Sequence, residues 1–122
     1  GDPYHCFCLK TTRLVKEYMN LRDDEVITTF QSRFGKQEWL KPYTSEILKS
    51  LPKEGIKKIN IISPGFSADC LETLEELKIE NREYFEEAGG EEYHYIPCLN
   101  DSPNHINMIA DLIKKHSQGW IV

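Results

Sequence analysis

The chain is 122 residues long, 39% hydrophobic, 11% aromatic and 29% charged, with twenty acidic against fifteen basic residues and a net charge of −5. That size is one domain or part of one, and the composition excludes a disordered, collagen-like or low-complexity chain. The acidic balance argues against nucleic acid as a partner, no apolar run approaches the ~18 residues of a membrane span, and Gly1-Asp2-Pro3-Tyr4 has neither the basic start nor the apolar stretch of a signal peptide.

A first helix is predicted over 3–19. Asp2 suits the N-cap and Pro3 the first helical position. Tyr4, Phe7, Cys8, Thr11, Leu14, Val15, Tyr18 and Met19 recur at three- and four-residue steps and make one apolar face. Because the chain opens directly on a helix signal, it is expected to belong to something longer. Residues 26–30 are rich in β-branched side chains and read as a strand. A polar loop follows at Gln31-Ser32-Arg33-Phe34-Gly35, then Trp39, Leu40 and Pro42. Thr44 or Ser45 opens a short helix carrying Ile47, Leu48 and Leu51, stopped by Pro52 and Gly55. A second strand is predicted over 57–62 and a long helix over 69–88, closed by Gly89-Gly90. A third strand follows over 93–97, and a last helix opens at Ser102-Pro103. That helix carries Ile106, Ile109, Ala110 and Ile113 on one face, and Lys114, Lys115 and His116 near its end, where the helix dipole favours cations.

The order α-β-α-β-α-β-α predicts an α/β fold, a three-layer sandwich around a parallel sheet with right-handed crossovers. In such folds ligands bind beyond the carboxyl ends of the strands. That places the loops 31–39, 63–69 and 98–101 on one rim. No repeat or linker divides the chain, so 1–122 reads as a single unit.

Nucleotide-binding glycine motifs are absent: there is neither GxGxxG nor GxxxxGK[ST]. Cys6, Cys8, Cys70 and Cys98 include no CxxC pair for zinc, and Cys6 and Cys8 point in different directions from one helix. They read as free thiols in a reducing, cytoplasmic compartment. The helix over 69–88 is the most informative segment. An α-helical wheel buries Leu71, Leu74, Leu77, Tyr84, Phe85 and Ala88, with Glu72, Glu76, Glu80, Glu83 and Glu87 in one stripe beside them. Like charges at i,i+4 repel, and a cation would relieve them. The plainer reading is a solvated face whose Asp69-x-x-Glu72 start is a capping box. Against it stands position: Glu72 lies one turn inside a helix that opens on the ligand rim.

The stretch Ser63-Pro64-Gly65-Phe66-Ser67-Ala68-Asp69-Cys70-Leu71-Glu72-Thr73-Leu74-Glu75-Glu76 resembles the active-site signature of ferrochelatases, the enzymes that insert ferrous iron into protoporphyrin IX in the last step of protoheme synthesis. Gly1-Asp2-Pro3-Tyr4 is similar to a second family motif. Phe30-Gln31-Ser32-Arg33-Phe34-Gly35 with Glu38-Trp39-Leu40 and Pro42 is similar to a third, and Leu99-Asn100-Asp101-Ser102-Pro103 to a fourth. The resemblance covers essentially the whole chain in order, and the bacterial branch is nearest.

The resemblance implies a two-lobed α/β enzyme with a porphyrin cleft between the lobes. This chain would be the C-terminal lobe alone, inactive by itself, with the N-terminal lobe and the family's metal-site histidine missing. His5, His94, His105 and His116 match no catalytic motif and read as surface or structural. By the same resemblance Glu72 is the catalytic glutamate, binding metal, accepting pyrrole protons, or both. Glu76 and Glu80 extend a line of metal-handling acids along a locally widened, π-type helix. Phe66 and Trp39 line the macrocycle. The implied substrates are protoporphyrin IX and Fe(II), and the missing lobe leaves room for peripheral membrane contact. Cys70 departs from the pattern, standing where many members carry a histidine. A thiol without a lowered pKa does not relay protons near neutral pH. Some members hold an iron–sulfur cluster on clustered cysteines near the C-terminus; the spacing of these four predicts none. Two alternatives stand beside this reading: another class II tetrapyrrole metal chelatase, and a non-catalytic α/β module that binds metal or porphyrin.

Overall fold

The structure, a computed structural model, describes residues 1–31 and 38–120. The first helix starts at Tyr4, with Pro3 and not Asp2 in the cap position. The Asp2 carboxylate accepts the Tyr4 N–H at 2.8 Å, and α1 runs Tyr4–Met19, closing on Asn20 in the left-handed conformation (φ 54°). Its apolar face is real but uncovered: α1 buries no residue, and Tyr18 is 93% exposed. The helix meets the segment that follows it through the His5 and Phe30 rings, the Thr12 and Thr28 hydroxyls at 2.8 Å, and a Lys16–Asp23 ion pair.

Residues 26–30 do not form the strand their composition predicts. Phe30 alone makes an isolated parallel bridge to Tyr43: its N–H donates to the Pro42 carbonyl and its own carbonyl accepts the Thr44 N–H. The preference of Val, Ile and Thr for strands is a preference for a pleated, half-buried surface. Among the described residues no sheet strand lies beside this segment to provide one. The expected seven-element alternation is therefore short of its first strand.

Helix α2 spans Thr44–Ser50 and tightens into a 3₁₀ turn, Leu51–Glu54, that ends at Gly55 with φ 90°. Strand β1 is Lys58–Ile62 and β2 is Glu92–Ile96, paired in parallel with Ile59 opposite Tyr93 and Ile61 opposite Tyr95. Between them runs one continuous helical rod: a π-helix, Glu72–Glu80, followed by α3, Asn81–Glu87. It is closed by Gly89 at φ 99°, with the Gly89 and Gly90 N–H groups donating to the Glu86 and Phe85 carbonyls. Helix α4, Pro103–His116, starts on Ser102 with proline at its first position.

Strand alternation splits the sheet into two unlike faces. Ile59, Ile61, Tyr93 and Tyr95 face Ile47, Leu48, Leu51 and Phe85 and form the core with α2 and α3, Phe85 being fully buried. The opposite face presents Lys58, Asn60, Ile62, Glu92 and His94 to solvent, with Lys58 and Glu92 paired across the strands. The architecture is thus α/β with a two-stranded parallel sheet. One face carries a helical layer, and the other is exposed at these five residues among the described ones. Ile106, Ile109 and Ile113 of α4 are likewise exposed. Among the described residues no helix is long and apolar enough to cross a membrane.

Candidate active site

The turn at 63–69 leaves β1 and delivers the chain to the π-helix. Its end is held by Asp69, whose carboxylate accepts the Tyr95 hydroxyl at 2.5 Å, the Asn100 side-chain amide at 2.7 Å, the Thr73 hydroxyl at 3.1 Å and the Cys98 N–H at 3.3 Å. The Asp69 N–H donates to the Asn100 Oδ1 at 2.8 Å. Asn100 sits in the left-handed region at φ 49°, its carbonyl lies 2.6 Å from Nδ1 of the buried His105, and its N–H donates to the Ser67 carbonyl. This cluster ties the loops after β1 and β2 together. The Tyr95 and Asn100 donors hold the Asp69 carboxyl far below the usual range, while burial and the charged Asp69 push the Tyr95 phenol up.

The cluster replaces the expected capping box. Cys70 N–H donates to the Thr73 hydroxyl at 2.9 Å, and Glu72 does not reach back to the Asp69 N–H, which Asn100 takes. Asp69, Tyr95 and Asn100 were not singled out from sequence as site residues. Asn100 carried the one available signal, inside the Leu99–Pro103 motif. His105 is buried.

The rod changes which residues face the core. The wheel expects Leu71 and Leu74 inside, yet they are 70% and 44% exposed. The buried residues are Thr73, Leu77, Asn81 and Phe85, at steps of four. In an α-helix four residues overshoot a full turn by about 40°. A widened turn with i→i+5 bonds turns less per residue, so four-residue steps drift less. Glu72, Glu76 and Glu80 share that spacing and therefore run as a line beside the buried row. At the end of the widened segment the Asn81 N–H bonds the Glu76 carbonyl. The Leu77 carbonyl, which Asn81 would take in an α-helix, accepts the hydroxyl of the buried Tyr93 instead.

The three acids differ in setting. Glu72 is exposed at the first position of the π-helix. The Cys70 thiol and its own backbone N–H hold its carboxyl below the usual range, so it is ionised and available as a base or an oxygen ligand. Glu76 is half-buried and accepts the Gln31 amide at 2.5 Å. Glu80 is exposed and, with Glu76, Phe30, Tyr43 and Tyr84, borders an open hollow of about 250 Å³ between the rod and the start of α2. Among the described residues no three His, Cys, Asp or Glu side chains converge to hold a metal ion, so the acids are a line of separate carboxylates and not a chelating cluster.

Phe66 is half-buried in the turn just before the rod, its N–H bonded to the Ser63 carbonyl at 3.2 Å. Trp39 is 40% exposed at the far end of the first rim loop. Neither borders the hollow at Glu76 and Glu80. Of the motif at Phe30–Gly35, positions 32–35 lie outside the described residues. All four cysteines are free thiols, Cys6 exposed and Cys98 half-buried.

The family model for ferrochelatase matches residues 1–117. This chain belongs to the ferrochelatase family. The ferrochelatase of Marinobacter nauticus is 59% identical over 120 residues, covering 98% of this chain and 32% of that protein. The ferrochelatase of Idiomarina loihiensis is 56% identical over 122 residues, all of this chain and 34% of that protein. Ferrochelatase 2 of Shewanella oneidensis is 56% identical over 116 residues, 95% of this chain and 36% of that protein. The chain therefore spans about a third of the length of the curated ferrochelatases it matches.

Proposed function

We propose that this chain is the C-terminal lobe of a ferrochelatase that inserts Fe(II) into protoporphyrin IX to give protoheme. What supports the reading is Glu72: an ionised, exposed carboxylate at the first position of a widened helix, behind an aromatic turn, in a chain of the ferrochelatase family. The reaction exchanges two pyrrole N–H protons for one ferrous ion, so a base must stand near the ring nitrogens, and the ion needs an oxygen ligand while it sheds water. Glu72 serves either need. Glu76 and Glu80 continue its line and carry cations in or protons out. Phe66 and Trp39 supply flat apolar walls for a flat apolar ring. In this reading iron is a substrate, no iron–sulfur cluster takes part, the protein works in the cytoplasm, and any membrane contact lies in the part of the protein this chain lacks.

The test is iron insertion into protoporphyrin, followed by loss of porphyrin fluorescence, for this chain alone and for the chain joined to the remaining two-thirds of a ferrochelatase. Insertion only by the longer protein is the expected result. Insertion by neither overturns the assignment in favour of a different tetrapyrrole chelatase or a binding module.

A further inference from the structure

The π-helix ends at a point where three side chains meet that are distant in sequence. Asn81 is buried, and its Nδ2 donates to the Gln31 Oε1 at 3.0 Å. The Gln31 Nε2 in turn donates to Glu76 Oε2 at 2.5 Å. With its carbonyl occupied by Asn81, the Gln31 amide has one orientation, donor towards the carboxylate; a flip would set oxygen against oxygen. Glu76 and Asn81 are five residues apart. In an α-helix they would lie about 140° apart around the axis, too far round for one short amide to join. In the widened turn they are neighbours, and the Asn81 N–H closes that same turn on the Glu76 carbonyl.

We propose that Asn81 and Gln31 are positioning residues: together they staple the last widened turn from outside and aim the Glu76 carboxylate along the acid line. The proposal deepens the ferrochelatase reading and rests on it for the link to turnover. The staple itself stands on the hydrogen bonds.

Two measurements separate the two. In this chain, Gln31→Ala is expected to speed hydrogen exchange of the Asn81 backbone amide by about tenfold, the effect of losing about 1.4 kcal/mol of hydrogen bonding, while β1 and β2 amides keep their rates. Unchanged exchange at Asn81 overturns the staple whatever the protein catalyses. In the longer enzyme, Gln31→Ala and Asn81→Asp are each expected to lower kcat for iron insertion by about tenfold or more with the porphyrin KM unchanged. Asn81→Asp keeps the outline of the side chain and replaces the donor by an acceptor. The double variant should be no worse than either single one, because both break one relay. Losses that multiply in the double variant, or that fall on KM alone, overturn the positioning role. A wild-type enzyme without insertion counts against the ferrochelatase reading, and the exchange result still decides the staple.

Discussion

Gly90→Ala tests how the acid-bearing rod is anchored. A Cβ added at Gly90 would lie 2.2 Å from Cδ1 and Cε1 of Phe85 and 2.8 Å from Cγ. Ordinary carbon contacts are about 3.5–4.0 Å, so the ring would have to retreat by more than about 1 Å. It has nowhere to go: Phe85 is fully buried in one cluster with Leu48, Leu51 and Tyr93, the Tyr93 ring centroid 6.1 Å away. Overpacking of this kind costs about 1–3 kcal/mol, and a shift this large against three neighbours belongs near the upper end. With a urea m-value of about 1.5 kcal/mol/M, a loss of about 2.5 kcal/mol lowers the midpoint by about 1.7 M. Circular dichroism during urea denaturation reads this directly. Gly55→Ala is the control: it sits at φ 90° with nothing within 4 Å, so it carries only a backbone cost of about 1–2 kcal/mol. Phe85→Leu combined with Gly90→Ala should be less destabilised than the two single changes summed, because the smaller side chain vacates the contact. An unchanged midpoint in Gly90→Ala, or strict additivity in the pair, would refute the packing argument.

Glu72→Gln in the longer protein keeps the shape and removes the charge; if Glu72 is the base proposed above, insertion should fall by about 10²–10⁴-fold while porphyrin binding, read by fluorescence quenching, is retained. Near-normal turnover would sink the role given to Glu72. Asp69 has its carboxyl lowered in the folded state by Tyr95 and Asn100, so its stabilising effect is complete above the ordinary carboxylate range near pH ~4 and is lost as pH falls towards its depressed folded value. Asp69→Asn should therefore be less stable at pH 7 and should flatten the acid limb of a thermal-melt series; an unchanged acid limb would show that the cluster does not depend on the charge. Burial raises the Cys98 thiol, and Cys6 is exposed, so mass spectrometry of a brief maleimide reaction should find Cys6 labelled well before Cys98. Equal labelling would contradict the packing around Tyr95.

Much of the chain was legible because its local chemistry is short-range. Asp2, Ser102 and Gly89 mark helix ends through bonds to residues a few positions away, and the first helix starts at Tyr4, one residue later than Pro3 suggests. Strands β1 and β2 were legible from their β-branched and aromatic runs. Residues 26–30 have the same composition and no ladder, because a strand needs a partner, and partnership is not a local property. The inward face of the rod was misread for a related reason. The wheel assumes 3.6 residues per turn, and the register of Thr73, Leu77, Asn81 and Phe85 follows a widened turn that composition does not announce.

By itself the sequence determined the α/β class, the helix ends, the place of Glu72 at a helix start beyond a strand, and, through its motifs, the family. Only the tertiary structure decided that Asp69 is a hub, joining the nearby Thr73 hydroxyl to four donors and acceptors brought from β2 and the loop after it. It alone joined Gln31 to Glu76 across 45 residues, and it alone left the apolar faces of α1 and α4 open. The division has one physical cause. Capping, turns and periodicity are set within a few residues of chain. Hydrogen bonds between distant loops, and the side of a helix that finds cover, depend on which segments the fold brings together.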